Sequence, residues 1–155
     1  MKALSRALHH ANGQPYCITE YVPAEGWLLT TWMGFVSPAD AEQGALATLE
    51  PHYLDPISCL LNNNSQIQGP WFDSVAWLKR VWVPQAVRLG LRYIAHVAQP
   101  HTEADLGMLL SRNPFGGQIN LQVFTAAEDA ASWLRDCLRD QELRTSPDAS
   151  RATKR

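Results

Sequence analysis

Strong charge and long apolar runs are both missing from this sequence, and each absence excludes a class of protein. Only 18% of the 155 residues are charged and the formal net charge is -2, so no strong field draws the chain to nucleic acid or to an anionic bilayer. No apolar run approaches the roughly 18 residues of a membrane span, and residues 1–10 lack the hydrophobic centre of a secretory signal. We therefore expect a cytoplasmic protein with no nucleic-acid partner and no membrane span.

Paired cysteines and compact catalytic motifs are also missing. Cys17, Cys59 and Cys137 are odd in number and far apart, which argues against a disulfide framework. The sequence has no Walker loop, no dinucleotide fingerprint and no nucleophile elbow. The acidic and histidine side chains between residues 50 and 55 fit no compact metal motif. These absences predict a non-enzymatic protein that uses no cofactor and no metal.

What the sequence does contain is an alternation of strand and helix patterns. Turn residues at 23–26 separate two strand-like runs and predict an antiparallel hairpin. Ser37 and Pro38 then have the pattern of a helix N-cap followed by proline at the first helical position. The predicted strands are 16–22, 27–35, 57–61, 91–99 and 118–124, and the predicted helices are 37–49, 73–89 with a bend at Pro84, 102–111, and one that begins at 125.

This order of elements predicts the fold class and the domain limits. Strands that alternate with helices pair in parallel through right-handed crossovers, and the hairpin adds an antiparallel pair. We therefore predict an α/β fold, with a mixed five-stranded sheet, a front antiparallel hairpin and alternating helices in a single domain over 15–138. A flexible N-terminal segment, 1–14, is expected before it and a flexible polar tail, 139–155, after it.

Three consecutive amides, Asn62, Asn63 and Asn64, follow the buried run of the third predicted strand. Ligands tend to bind outside the carboxyl ends of parallel strands, so the amides mark a candidate binding rim. The alternative is that asparagine, which tolerates left-handed backbone and bonds to its own chain, ends the strand. On the next strand, His96 is predicted to be a hydrogen-bonded core histidine, which is commoner at such a position than a catalytic base.

Six tryptophans are many for a chain of this length, and most are expected in the core. Trp77 and Trp82 are five positions apart, which is about 140° around an α-helix. One side chain would then face the sheet while the other meets solvent, a ligand or a second protomer. The alternative is that both pack at different edges of one helix interface. The first arrangement predicts a surface for a protein partner or for a homodimer.

Taken together, these residues resemble the bacterial STAS/SEC14-like proteins, which are similar in fold to the anti-sigma-factor antagonists, over residues 16–138. The resemblance is carried by 32–34, 60–64, Trp77, Trp82, Pro84, 90–95, Phe124, Ala130, Trp133 and Leu134. Many members of that group have an Asp-Asn-Arg triplet where this chain has three asparagines, so the carboxylate and the guanidinium are both missing here.

The resemblance implies two kinds of function. The antagonists carry a phosphorylatable serine in an Asp-Ser pair at a helix start, and Asp73-Ser74 is similar, which implies a switch at Ser74; the alternative is that Asp73 is an ordinary N-cap. The chain is therefore predicted to be a non-enzymatic regulatory or protein-interaction module. The SEC14 side of the resemblance implies instead a carrier or sensor that binds a small apolar or lipid-like ligand, with tryptophans lining the pocket.

Overall fold

The strands of the sheet follow one another in space in the same order as in the sequence. A computed structural model describes residues 5–50, 56–68, 75–99 and 115–145. In these ranges six strands form one mixed sheet in the order β1-β2-β3-β4-β5-β6, and three helices pack on it. The strands are β1 (Ser5–His9), β2 (Pro15–Val22), β3 (Trp27–Gly34), β4 (Cys59–Ile67), β5 (Tyr93–Val97) and β6 (Asn120–Phe124). The helices are α1 (Pro38–Ala47), α2 (Val75–Trp77, Leu78–Trp82 and Val83–Arg88 in succession) and α3 (Ala127–Thr145).

Strand pairing confirms the predicted α/β class and the mixed sheet. The pairs β1–β2 and β2–β3 are antiparallel, whereas β3–β4, β4–β5 and β5–β6 are parallel. At the predicted hairpin turn, the backbone N–H groups of Glu25 and Gly26 both donate to the carbonyl of Val22, at 3.1 and 2.8 Å. Gly26 has a φ of +83°, a left-handed conformation that glycine adopts without steric strain. The front hairpin is therefore confirmed.

The predicted count of five strands is wrong, because β1 supplies a sixth. Its residues, 5–9, fall in the segment that was expected to be flexible, yet they pair with β2 from Ser5 to His9. All but one of these residues are exposed, so the strand has no buried face. It therefore lacks the alternation of apolar and polar residues by which a half-buried strand is predicted. Arg6 also forms an ion pair with Glu50. The sequence pattern therefore did not reveal that the sheet begins at Ser5.

The last helix also extends beyond its predicted limit. The sequence was expected to fray from Arg139, but α3 continues to Thr145. Cys137 is buried, and Ser58, which directly precedes β4, donates from its Oγ to Gln141 Oε1 at 2.8 Å, so a side-chain contact holds the helix beyond Arg139. The predicted helix over 102–111 lies outside the described residues.

Two helical layers cover the two faces of the sheet. Helix α1 connects β3 to β4 and helix α2 connects β4 to β5, so both connections advance by one strand in the same direction across the sheet. Right-handed crossovers of this kind place their helices on the same face of the sheet. We call this the α1/α2 face; its buried cluster includes Leu28, Leu60, Leu78, Trp82, Val83, Leu91 and Ile94. The opposite, α3 face has a second cluster that includes Trp27, Cys59, Leu61, Ala95, Val97, Ala130 and Leu134. The central strands are therefore buried on both faces.

No helix within the described ranges is both long enough and apolar enough to span a membrane.

Candidate functional site

A row of polar side chains crosses the otherwise apolar α1/α2 face. Thr19 pairs in register with Thr30, Thr30 with Asn62, and Asn62 with His96, so the four side chains lie side by side on β2, β3, β4 and β5. The hydroxyl oxygens of Thr19 and Thr30 are 3.1 Å apart, and Asn62 Nδ2 is 3.0 Å from His96 Nδ1. Thr19, Thr30 and His96 are each at most 5% exposed. The row therefore places hydrogen-bonded polar groups inside the core.

Asn62 is the residue that joins this row to its surroundings. The indole Nε1–H of Trp32 donates to Asn62 Oδ1 at 2.8 Å. The amide nitrogen of Asn62 then donates to Asn64 Oδ1 at 3.3 Å and also faces His96 Nδ1. Since an indole can only donate, the bond from Trp32 fixes which end of the Asn62 amide is the oxygen. One side chain thus links β3, β4 and β5.

A β-bulge lies directly beside Asn62. The β3–β4 register passes from Thr31 opposite Asn63 to Met33 opposite Gln66, so two residues of β4, Asn64 and Ser65, oppose one residue of β3. Asn63 Oδ1 accepts from the backbone N–H of Ser65 at 3.0 Å and so supports the bulge. The strand therefore continues through the amides instead of ending at them.

The bulge reverses which residues of β4 face the helices. Asn62 and Asn64 face the α1/α2 side before it, and Ile67, at an odd position, faces the same side after it and packs with Trp32. Asn64 is 1% exposed, and none of the described residues accepts a hydrogen bond from its Nδ2.

A cavity of about 80 Å³ lies between the polar row and helices α1 and α2. Its wall is largely apolar and includes Trp32, Trp82 and Phe115, while Asn62 and His96 supply polar atoms on the sheet side. One buried water needs about 10–15 Å³, so the space suits a small molecule about the size of one ring. None of the described residues that line it is Lys, Arg, Asp or Glu.

Helix α1 forms the wall opposite the sheet, and a glycine brings it close to Trp32. A Cβ placed at Gly44 would lie 2.7 Å from Trp32 Cζ3 and 3.1 Å from Cys17 Sγ. One residue further on, the carbonyl of Ala45 accepts from Trp82 Nε1 at 2.7 Å and from Thr48 Oγ1 at 2.6 Å. The two cavity tryptophans are therefore both held against the same turn of α1.

Helix α2 contains a π-helical turn at Leu78–Trp82, with the N–H of Val83 bonded to the carbonyl of Leu78. Pro84 explains the interruption, because it has no N–H and its ring would clash with the carbonyl four residues back in a regular α-helix. The hydrogen bond of a π turn joins residues five apart instead of four, so side chains five positions apart lie closer to the same side of the helix than in an α-helix.

Trp77 and Trp82 consequently pack along one helix interface, which was the alternative prediction for them. Trp82 is 4% exposed and lines the cavity, whereas Trp77 is half-buried against the same cluster. The arrangement with one tryptophan turned away from the core is not seen.

The site is uncharged at neutral pH. Burial lowers the pKa of His96 to about 4, so its imidazole is neutral. Burial likewise raises the pKa of Cys17 to about 12, that of Cys59 to about 12 and that of Cys137 to about 11, and all three are free thiols. Within the part of the chain that the structure describes, no three His, Cys, Asp or Glu side chains are grouped so that they could hold a metal ion.

The structure brings together some of the predicted site residues and separates others. Asn62 and Trp82 line the cavity, while Asn64 is buried beside Asn62. Asn63 supports the bulge instead. The proposed switch, Asp73-Ser74, lies outside the described residues.

Three residues of the site were not predicted as such. His96 is buried and hydrogen-bonded, as expected of a core histidine, but it also lines the cavity. Trp32 was used only as part of the resemblance to STAS/SEC14-like proteins. Gly44 was not considered, although a glycine inside a predicted helix often indicates close packing.

A comparison of the chain with protein-family models, with curated proteins and with solved structures finds no match. The resemblance to STAS/SEC14-like proteins therefore stays a prediction from the sequence.

Proposed function

We propose that the protein is a non-enzymatic carrier or sensor that binds a small, largely apolar molecule between the polar row and helices α1 and α2. The observation that supports this proposal most directly is the cavity of about 80 Å³ with Trp32 and Trp82 in its wall. Small-molecule sites are typically concave and apolar, with a few converging polar groups that orient the ligand. Asn62 and His96 are such groups.

The protonation states of the nearby groups support binding over catalysis. With a pKa of about 4, His96 is a weak base at neutral pH. The thiol of Cys17, with a pKa of about 12, is almost wholly protonated and therefore a poor nucleophile.

The other predicted function, a protein-interaction module, needs an exposed apolar surface. Among the described residues, the large hydrophobic side chains with high exposure are Phe35, at 69%, and Leu143, at 63%. They lie on separate elements, after β3 and near the end of α3, and single exposed hydrophobic residues are ordinary on a protein surface. The cavity therefore favours the binder. A protein partner, a homodimer and a switch at Ser74 stay predictions.

A cavity-filling variant tests the proposal. Ala41 lines the cavity and is 4% exposed, so Ala41→Leu places extra carbon atoms inside it. Ala127, which is exposed at the start of α3, provides the matched control Ala127→Leu. Urea unfolding is measured with and without small one-ring molecules such as benzyl alcohol, acetophenone and α-methylstyrene. A ligand at about 100 times its Kd raises the free energy of unfolding by about 2.7 kcal/mol.

We expect at least one of these molecules to stabilise the wild type and the control, and none to stabilise Ala41→Leu. Native mass spectrometry of gently purified protein provides a second measurement, a retained small molecule that Ala41→Leu lacks. The proposal is wrong if no molecule of this size stabilises the wild type, or if the filled variant binds as well as the control.

A further inference from the structure

We infer that the cavity selects a ligand with one planar aromatic ring over a ligand with a saturated ring of the same skeleton, and that Trp32 and Trp82 set this preference. The inference rests on the proposed function, since it names the class of molecule that the same cavity would take. It follows from the way in which the two indole rings are held and from the parts of them that are left for a ligand.

Trp32 is held at two edges of its ring system. On the sheet side its indole N–H donates to Asn62 Oδ1 at 2.8 Å. On the helix side the far edge of its six-membered ring lies close to α1, because a Cβ placed at Gly44 would be only 2.7 Å from Cζ3. The ring therefore reaches from the sheet to α1. Since Trp32 also lines the cavity, the surface that it presents to a ligand is mainly a face of its π system.

Trp82 is held in a comparable way on the side of α2. Its indole N–H donates to the carbonyl of Ala45 at 2.7 Å, one residue after Gly44. Its ring meets the ring of Phe115 edge to face, with centroids 6.1 Å apart and an interplanar angle of 71°. The quadrupoles of two aromatic rings favour this T-shaped arrangement. The cavity wall thus already contains one aromatic pair in a preferred geometry.

Neither indole keeps a free N–H for a ligand, so both tryptophans act on it through their π systems. An aromatic ring is negative on its faces and positive at its edges, and a second aromatic ring that packs on it gains about 2- to 10-fold in affinity beyond the burial of its area. A saturated ring has no such quadrupole and gains from burial alone. Because both indoles are already fixed by hydrogen bonds, little ordering of the wall opposes this gain.

Benzyl alcohol and cyclohexylmethanol test the selection, because they share one carbon skeleton and one hydroxyl group and differ only in the saturation of the ring. Association constants are measured by calorimetry on the full-length chain. Each constant is divided by the partition coefficient of the alcohol from water into hexadecane, which removes the contribution of apolar burial. Shifts of the indole N–H signals of Trp32 and Trp82 in 1H–15N spectra identify binding in the cavity, while the signal of Trp27, which packs on the α3 face, should not move.

We expect the corrected affinity of benzyl alcohol to exceed that of cyclohexylmethanol about 2- to 10-fold. Equal corrected affinities, or a preference for the saturated ring, overturn the inference and leave the proposed function standing, because a small apolar molecule then still occupies the cavity. If neither alcohol binds, the inference and the proposed function are both rejected.

Removal of each indole tests which side chains set the preference. Trp82→Leu and Trp32→Leu each remove one π system from the wall and keep an apolar side chain, so the preference for benzyl alcohol should fall about 2-fold or more. Two variants are made so that the test does not depend on the folding of either one. A general loss of stability weakens the binding of both alcohols alike and leaves their ratio unchanged.

Trp27→Leu is the matched control. Trp27 is also buried, at 3% exposed, but it lies in the cluster of the α3 face and does not line the cavity. This variant should keep the preference of the wild type. The same preference in the wild type and in both cavity variants shows that the two indoles do not set it.

Discussion

Replacing Gly44 with alanine should destabilise the protein, although the same change stabilises most helices. Alanine favours an α-helix over glycine by up to about 1 kcal/mol. Here the new Cβ would lie 2.7 Å from Trp32 Cζ3, whereas carbon atoms in contact are normally about 3.5–4.0 Å apart. Although the Trp32 ring borders the cavity, its hydrogen bond from Nε1 to Asn62 Oδ1 at 2.8 Å holds it in place, and the Sγ of Cys17 is 3.1 Å from the same Cβ.

Overpacking of this kind costs about 1–3 kcal/mol, which equals or exceeds the gain of up to about 1 kcal/mol in helix propensity. We therefore expect Gly44→Ala to lower the free energy of unfolding by about 0–2 kcal/mol in urea titrations with an unchanged m-value. In a Trp32→Leu background the ring atoms are gone, so the same change should stabilise by about 0.5–1 kcal/mol. A coupling energy of about 1–3 kcal/mol between the two sites results. If Gly44→Ala stabilises both backgrounds equally, the close contact between α1 and Trp32 does not exist.

Two further predictions concern groups whose pKa values are shifted. The pKa of His96 falls from 6.5 to about 4 on folding, so between these values the unfolded chain takes up a proton that the folded chain does not, and stability falls as the pH is lowered. The loss should total about 3 kcal/mol in urea titrations across this range, and His96→Gln should lose that much less; a parallel pH profile for the two proteins contradicts the burial of the imidazole. The raised pKa values of all three thiols predict that native protein at pH 8 reacts slowly with iodoacetamide and that urea-unfolded protein reacts fully, as counted by mass spectrometry; rapid labelling of Cys17 without urea argues against this packing.

Local signals in the sequence were sufficient for the hairpin and for the start of α1. The turn at 23–26 has residues whose backbone preferences specify it, and Ser37 Oγ accepts from the N–H of Asp40 at 3.1 Å, as the N-cap pattern predicts. Such features involve residues a few positions apart. They depend little on the rest of the fold, which is why a single sequence reveals them.

The polar row and the bulge depend on contacts between distant parts of the chain. Thr30 and Asn62 lie side by side only because β3 and β4 pair in one particular register, and no local pattern specifies that register. The bulge after Asn63 shifts the alternation by one residue, so a count along β4 places Ile67 on the wrong face. For the same reason the three asparagines could be placed near a site while their separate roles could not be assigned.

The sequential order of the strands has a consequence for synthesis. A nascent chain can add each strand to the growing edge of the sheet as soon as it leaves the ribosome, because the neighbour of every new strand has already been made. Helix α3 follows all six strands, so none of the other described elements covers the sheet face that carries Trp27, Leu61 and Val97 until residues 127–145 emerge. A chain stalled before that point would display a broad apolar surface, and this exposure ends only when α3 has left the ribosome and packed on the sheet.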